Sequence, residues 1–154
     1  MRLYLVQHGQ PHPKEKDPDR SLTDKGREDV KKLASFLNQM DLKVHILWES
    51  GKKRATQTAE ILSSAVLSEG ATISEKKGIA PNDPVAHVTE ELSVLATDHM
   101  IVGHMPFLSR LVSFLVLGKE SPEIVSFQQG GLVCMQRDED SKWTVAWMAV
   151  PSMI

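Results

Sequence analysis

The chain has 154 residues, the size of one ordinary domain, and a core of that size is stable without a disulfide or a structural metal ion. Its formal net charge of −2 excludes a strongly basic nucleic-acid-binding protein and by itself gives no reason to expect an anionic ligand. The single cysteine, Cys134, excludes an intramolecular disulfide framework and a cysteine-rich zinc site.

No targeting or membrane segment is evident in the sequence. The apolar run at residues 3–6 is too short for a signal peptide, and no run reaches the roughly 18 apolar residues of a membrane span. We therefore expect one domain over residues 1–154, located in the cytoplasm, that binds neither nucleic acid nor a membrane.

The first half of the chain alternates strands and helices. Residues 2–7 are dense in Leu, Tyr and Val and predict a buried strand, and the prolines within residues 10–21 predict a loop. Thr23 is the expected N-cap of a first helix. Residues 44–48 predict a second strand. The apolar stripes of the first two helices are Val30, Leu33, Ala34, Leu37 and Met40, and Ala55, Ala59, Leu62 and Val66.

The second half continues the alternation and ends in strands. Residues 71–75 predict a short strand. A third helix is expected with Pro84 in its first position and with Val85, Val88, Leu92 and Leu95 on its apolar face. The remaining segments are a strand at 99–102, a helix at 107–117 ended by Gly118, and strands at 124–127, 131–136 and 143–148. Because Trp143 and Trp147 are four apart on one strand, they are expected on the same face.

This order predicts a three-layer α/β/α sandwich whose sheet is mostly parallel, with one antiparallel strand near the C-terminus. In such sheets, ligands bind beyond the carboxyl ends of the strands. Polar clusters occupy three of those ends, at residues 7–9, 49–54 and 103–104. The sequence therefore predicts a polar site at this edge of the sheet.

Three side chains within these clusters suit phosphate chemistry. His8 and His104 each follow an apolar strand, and Arg54 opens the second helix. A helix that begins near Pro106 offers free N–H groups to an anion. Each of these residues alone is more often structural than functional, but two histidines and an arginine at neighbouring strand ends predict an anion site.

Four segments in order resemble the histidine phosphatase superfamily, whose fold is phosphoglycerate mutase-like. They are H-G at residues 8–9, L-T-D-K-G-R at 22–27, S-G-K-K-R-A-T-Q-T-A-E at 50–60 and V-G-H-M-P at 102–106. The short chain and the P-N-D-P segment at 81–84 resemble the SixA-type phosphohistidine phosphatases most. The resemblance implies a phosphatase that needs no cofactor and no metal ion.

The resemblance also implies roles for individual residues. His8 would be the nucleophile and become transiently phosphorylated, Arg54 would grip two phosphoryl oxygens, and His104, if protonated, would supply another charged donor. The catalytic residues implied are thus His8, Arg54 and His104. The phosphate-binding residues implied are Gln7, Gly9, Arg20, Arg54 and His104.

Gln7 departs from the family pattern, because the family has arginine at that position. Glutamine keeps a hydrogen-bond donor but loses a charge and the bidentate fork, and the loss of one preorganised donor costs roughly 10²–10³ in rate. Lys52, Lys53 and Arg20 are candidate replacement cations. Three interpretations stay open: a phosphatase of a phosphorylated histidine phosphotransfer protein, a phosphatase of a small phosphorylated metabolite, and a phosphate-binding protein with little turnover.

No carboxylate is an obvious general acid. Glu75 and Asp83 are the candidates in the expected part of the chain. An imidazole leaving group needs less help from an acid than an alkoxide does. This feature favours a phosphoramidate over an ordinary sugar phosphate as the substrate.

Overall fold

The computed structural model describes residues 1–154. It contains six strands and four helices in the alternating order that the sequence predicts. They are β1 (Arg2–Gln7), α1 (Asp24–Gln39), β2 (Val44–Glu49), α2 (Lys53–Val66), β3 (Leu67–Glu75), α3 (Ala86–Val94), β4 (His99–Gly103), α4 (Phe107–Leu117), β5 (Leu132–Arg137) and β6 (Trp143–Ala149).

The strands form one sheet in the order β3-β2-β4-β1-β5-β6. The pairs β1–β4, β2–β4 and β2–β3 are parallel, whereas β5 runs antiparallel to both of its neighbours. Only β5 therefore opposes the other strands, which confirms the predicted sheet. Apolar side chains of α1 and α2 pack on one face, and those of α3 and α4 pack on the other, so the three layers are confirmed as well.

The packing of strand β1 holds the edge of the sheet at which the sequence predicts the polar site. Tyr4 and Val6 point into the core beneath α1 and α2, and Leu3 and Leu5 point into the opposite core. All four are buried, and full burial of a leucine side chain stabilises the fold by roughly 1.5–3 kcal/mol. Packing on both faces thus anchors the strand whose end carries His8.

The helix ends follow local chemistry. Thr23 caps α1, and its side chain accepts a hydrogen bond from the backbone N–H of Gly26, as the sequence predicts. Gly118 ends α4 in the left-handed conformation, with φ of 73°, a geometry that costs glycine little. None of the four helices combines the length and the apolar character that a membrane crossing requires.

Four predicted boundaries or elements are wrong. Residues 124–127 form no strand, because β6 already pairs with the free edge of β5. Helix α3 begins at Ala86, two residues after Pro84. Strand β3 begins at Leu67, directly after α2 rather than at residue 71. Met40 is the C-cap of α1 and is 49% exposed, so it does not extend the apolar stripe.

The two tryptophans of β6 lie on opposite faces, contrary to the expectation. The register between β5 and β6 shifts at Cys134 and Met135, so that Ala146 has no partner of its own. This β-bulge breaks the two-residue alternation of the strand. Trp147 packs against the core beneath α1 and α2, and Trp143 packs against the other core.

Candidate active site

Three neighbouring strands bring the predicted residues to one edge of the sheet. Gln7 at the end of β1 is in register with Gly103 of β4, and Glu49 at the end of β2 is in register with Val102. His8, Ser50 and His104 directly follow β1, β2 and β4, respectively. Arg54 lies in the first turn of α2. The polar edge that the sequence predicts is therefore present.

His8 has a defined tautomer in this arrangement. Its Nδ1 lies 2.8 Å from the carbonyl oxygen of Gly9, and its Nε2 lies 3.3 Å from Nε of Arg54. A carbonyl can only accept, and the guanidinium can only donate. The proton therefore sits on Nδ1, and Nε2 carries a lone pair, which is the form that a nucleophilic imidazole requires.

The surroundings keep His8 neutral. Burial, with the positive charges of Arg54 and Arg20, lowers the pKa of His8 to about 4, although the bond to the Gly9 carbonyl opposes this shift. The ring is 7% exposed. At neutral pH the lone pair of Nε2 is therefore free of a proton.

His104 lies against His8 and is neutral too. The two ring centroids are 4.9 Å apart. Burial, followed by the proximity of His8 and of Arg54, lowers the pKa of His104 to about 3. In the unliganded protein, a positive charge on His104 is therefore disfavoured, and its use as a charged donor stays a prediction. Its Nδ1 is buried without a hydrogen-bond partner.

Helix α2 carries three polar side chains spaced so that they share one face. Residues at i, i+3 and i+4 of a helix are neighbours, and Arg54, Gln57 and Thr58 have this spacing. Gln57 Oε1 accepts the N–H of Leu22 at 2.8 Å, and Thr58 Oγ1 accepts the N–H of Gly9 at 3.0 Å. The helix that presents Arg54 therefore also holds the loop after β1.

Thr58 is a residue that the sequence reasoning missed. It is fully buried, and its hydroxyl donates to the carbonyl oxygen of Arg54 at 2.7 Å while it accepts from Gly9. It thus ties the segment of the nucleophile to the first turn of α2. The spacing of Arg54, Gln57 and Thr58 was the available signal.

Gly9 and Gly26 allow two backbone segments to touch. A Cβ at Gly26 would lie 2.3 Å from the carbonyl oxygen of Gln10, and a Cβ at Gly9 would lie 2.9 Å from the carbonyl oxygen of Gly26. The N–H of Gly9 is engaged by Thr58, and its carbonyl is engaged by His8. The contacts of Gly9 in the structure position the His8 ring.

Arg54 has no acidic partner. The ion pairs of the protein involve other cations, and burial followed by the charge of Arg20 lowers the pKa of Arg54. A half-buried guanidinium without a carboxylate is costly. It is therefore well suited to bind an anionic ligand.

Arg20 is the best placed of the three candidate replacement cations. Its positive charge contributes to the lowered pKa of His8, Arg54 and His104. Lys52 acts in this way on His104 alone, and Lys53 is an exposed residue 3.8 Å from Asp19. Arg20 is itself held in the left-handed region at φ of 53°, with its Nε donating to the His12 carbonyl at 3.2 Å.

Gln7 lies half-buried at the end of β1, and its Oε1 is buried without a hydrogen-bond partner. A buried acceptor without a partner is uncommon in native proteins. An amide can rotate to present its NH₂ group, since the two ends differ only in their hydrogens. Gln7 therefore adds a neutral polar group, and no charge, beside His8.

Neither candidate acid forms a hydrogen bond or an ion pair with His8 or His104. Asp83 Oδ2 accepts the N–H of Ala80 at 2.8 Å and shapes the turn before α3. Glu75 is exposed and lies against Gly51 at the rim. Gly51 has φ of 79°, a left-handed conformation that glycine adopts at little cost. No cluster of three or more His, Cys, Asp or Glu side chains is placed to hold a metal ion.

A polar groove adjoins the site. It has a volume of about 730 Å³ and runs from Arg20 along the loop after β1, and its cationic or titratable lining includes His12, Lys16 and Lys25. This groove can receive the part of a ligand that lies beyond the anion.

Comparisons with known proteins match this geometry. The model of the histidine phosphatase superfamily (branch 1) matches residues 3–78. An uncharacterized protein of Picosynechococcus sp. is 29% identical over 140 residues, which cover 86% of this chain and 83% of that protein.

Two solved structures show the fold over the whole chain. The protein histidine phosphatase SixA complexed with tungstate superposes with a TM-score of 0.86 at 22% identity and covers 99% of both chains. A phosphoserine phosphatase variant from Entamoeba histolytica in complex with phosphoserine gives a TM-score of 0.74 at 13% identity, over 99% of this chain and 98% of that one. Its family motifs lie together at one edge of a phosphoglycerate mutase-like sheet, so the motifs, the matched family model and the fold all point to the histidine phosphatase superfamily.

Proposed function

We propose that the protein is a phosphatase that removes the phosphoryl group from phosphohistidine through a covalent intermediate on His8. The observation that carries this proposal is the unprotonated Nε2 of His8, which lies 3.3 Å from the unpaired guanidinium of Arg54 and on a ring 4.9 Å from that of His104. A nucleophile with donors on either side is the arrangement that phosphoryl transfer needs.

The reaction has two displacements. In the first, the lone pair of His8 Nε2 forms a bond to phosphorus while the bond from phosphorus to the substrate nitrogen breaks. The substrate imidazole keeps that electron pair and takes a proton from water. In the second, a water oxygen attacks phosphorus, the bond to Nε2 breaks, and the proton of the water goes to solvent. Arg54 and His104 donate to the equatorial oxygens in both steps.

Three features support a phosphoramidate substrate. Neither Glu75 nor Asp83 makes a hydrogen bond to His8 or His104, Asp83 being bonded to Ala80, and an imidazole leaving group needs less assistance from an acid. The adjoining groove is polar and has a volume of about 730 Å³, which leaves room for the carrier of the phosphoryl group. Arg20 partly replaces the charge that Gln7 lacks. Stabilisation of developing charge by such preorganised cations accounts for much of catalysis.

The test is hydrolysis of a phosphohistidine-bearing phosphotransfer protein, with phosphoramidate as the small-molecule substrate. Release of phosphate is measured together with acid-labile phosphate bound to the enzyme. Wild-type protein should show both, and His8→Ala should show neither. The exposed His87 provides the matched control, because His87→Ala should retain full activity.

The other interpretations are outcomes of the same experiment. Faster turnover of phosphorylated metabolites than of phosphohistidine would assign the protein to small-molecule substrates. Binding of phosphate with no covalent species and no turnover would make it a phosphate-binding protein, an outcome that Gln7 favours because it leaves the site one charge poorer.

A further inference from the structure

Ser50 makes the only side-chain hydrogen bond to His104. Its Oγ lies 2.5 Å from Nε2 of His104, while Nδ1 of the same ring is buried and has no partner. The ring is 1% exposed, so water does not satisfy it. A neutral imidazole carries its proton on one nitrogen only, and the partner of one nitrogen decides which nitrogen carries it.

We propose that Ser50 is a positioning residue whose hydroxyl donates to Nε2 of His104. This bond keeps the imidazole proton on Nδ1, which then donates to a phosphoryl oxygen. The inference rests on the proposed phosphatase function, because the acceptor for Nδ1 is the phosphoryl group bound beside His8.

The hydrogen-bond capacity of Ser50 supports this direction. A serine hydroxyl has one proton and two lone pairs. The backbone N–H of Lys52 points to Ser50 Oγ at 3.4 Å and can use only a lone pair. Among protein groups, Nε2 of His104 is the acceptor within reach of the hydroxyl proton. With the opposite direction, that proton would turn to solvent, and the lone pair of Nδ1 would repel a bound anion.

The loop that carries Ser50 is rigid. The carboxylate of Glu49, which is 6% exposed, accepts the N–H of Gly51 at 2.7 Å and the hydroxyl of Thr56 at 2.8 Å. Glu49 is also in register with Val102 of β4. Ser50 and His104 therefore leave adjacent strands within two residues of that paired position, and their contact is built into the sheet.

The electrostatic surroundings in the unliganded site favour a neutral donor. His8, Arg54, Lys52 and Arg20 all oppose a positive charge on His104. A neutral imidazole can donate to phosphate only if its single proton is on the nitrogen that faces the anion. The hydroxyl of Ser50 supplies this selection without adding a charge.

The direct test is the ¹⁵N NMR spectrum of the His104 ring in the full-length protein at pH 7. We expect the proton on Nδ1 in the wild type, a shift of the population towards the Nε2–H form in Ser50→Ala, and recovery in Ser50→Thr. Addition of tungstate should shift the Nδ1 signal in the wild type. A proton on Nε2 in the wild type, or an unchanged tautomer in Ser50→Ala, would overturn the inference.

Kinetics provide a second measurement. Loss of an orienting partner should lower kcat for phosphoramidate by roughly 10- to 100-fold, as for the outer partners of metal-bound histidines, and Ser50→Thr should restore it. Ser113 is the control, since it is fully buried and its hydroxyl bonds to the carbonyl of Pro122. A wild-type protein without turnover would refute the proposed function, whereas the NMR result would still decide the role of Ser50.

Discussion

Strand β4 begins at one buried histidine, His99, and is followed directly by another, His104. Both rings have a lowered pKa whose largest cause is burial, and each has one buried nitrogen without a hydrogen-bond partner. In burial and in the direction of their pKa shifts, the histidines at the two ends of β4 are therefore alike.

Their neighbours differ. His99 lies edge-on to Trp48 with 5.5 Å between ring centroids, and its Nδ1 lies 2.7 Å from the carbonyl oxygen of Thr97. Its charged neighbour, Asp98, raises its pKa. Around His104 the nearby charges are cations, Arg54 among them. A perturbed histidine therefore marks a site only where uncompensated donors converge on it.

The largest expected effect separates these two histidines directly. His104→Gln should lower kcat for phosphoramidate roughly 10²–10³-fold, because a preorganised donor to the phosphoryl group is lost. His99→Gln should leave kcat within about twofold, since that ring faces tryptophan and not the anion. Steady-state kinetics on both folded variants test this difference, and equal losses of kcat in the two variants would contradict it.

A smaller effect is expected when the charge of Arg54 is kept and its geometry is changed. Arg54→Lys retains a cation but loses the fork that grips two oxygens, so kcat/KM should fall by roughly tenfold or more. Arg110 is the control arginine, since it bonds to the Asp83 carbonyl and pairs with Glu120 at 3.5 Å. A loss in Arg110→Lys as large as that in Arg54→Lys would contradict the assignment.

Placing an arginine at position 7, as the family has it, should raise activity rather than lower it. Gln7→Arg adds a bidentate cation beside His8, and we expect turnover of phosphoramidate to rise by about tenfold. This is below the full value of a donor, because Arg20 already supplies part of the field. An unchanged rate would show that the present site is fully compensated.

The sequence predicted the parts of the molecule that depend on local patterns. The strand ends carrying His8 and His104, the cap at Thr23 and the single antiparallel strand follow from apolar periodicity and turn residues. The roles of Ser50 and Thr58 depend on distances between separate elements, and only the helical spacing of Thr58 from Arg54 was visible in the sequence. The β-bulge in β6 could not be predicted from the residues of that strand either.

The protonation of His104 also lay beyond the sequence. A histidine among cations suggests a charged donor only if the ring is solvated. His104 is in fact buried, at 1% exposure, and burial disfavours the positive charge that the motif suggests. Desolvation is a property of the packed core, and no spacing of residues reports it.

The smallest expected effect is on stability, and there the two ends of β4 should behave alike. Both histidines have a pKa below that of the unfolded chain, near 6.5. Between that value and the folded pKa, which for His104 is about 3, the unfolded state binds more protons. The free energy of unfolding therefore falls as the pH drops through this window.

Urea unfolding at pH 5, 6 and 7 measures this dependence. Each proton that only the unfolded state binds contributes about 1.4 kcal/mol per pH unit to the slope. His104→Gln and His99→Gln should each reduce the slope by up to that amount, and exposed His87→Gln should leave it unchanged. If His104→Gln left the slope unaltered, His104 would titrate in the folded protein as it does in the unfolded chain, and burial would not be what keeps it neutral. Activity and stability together thus separate what the two buried histidines share, which is desolvation, from what only one of them has, which is an anion to bind.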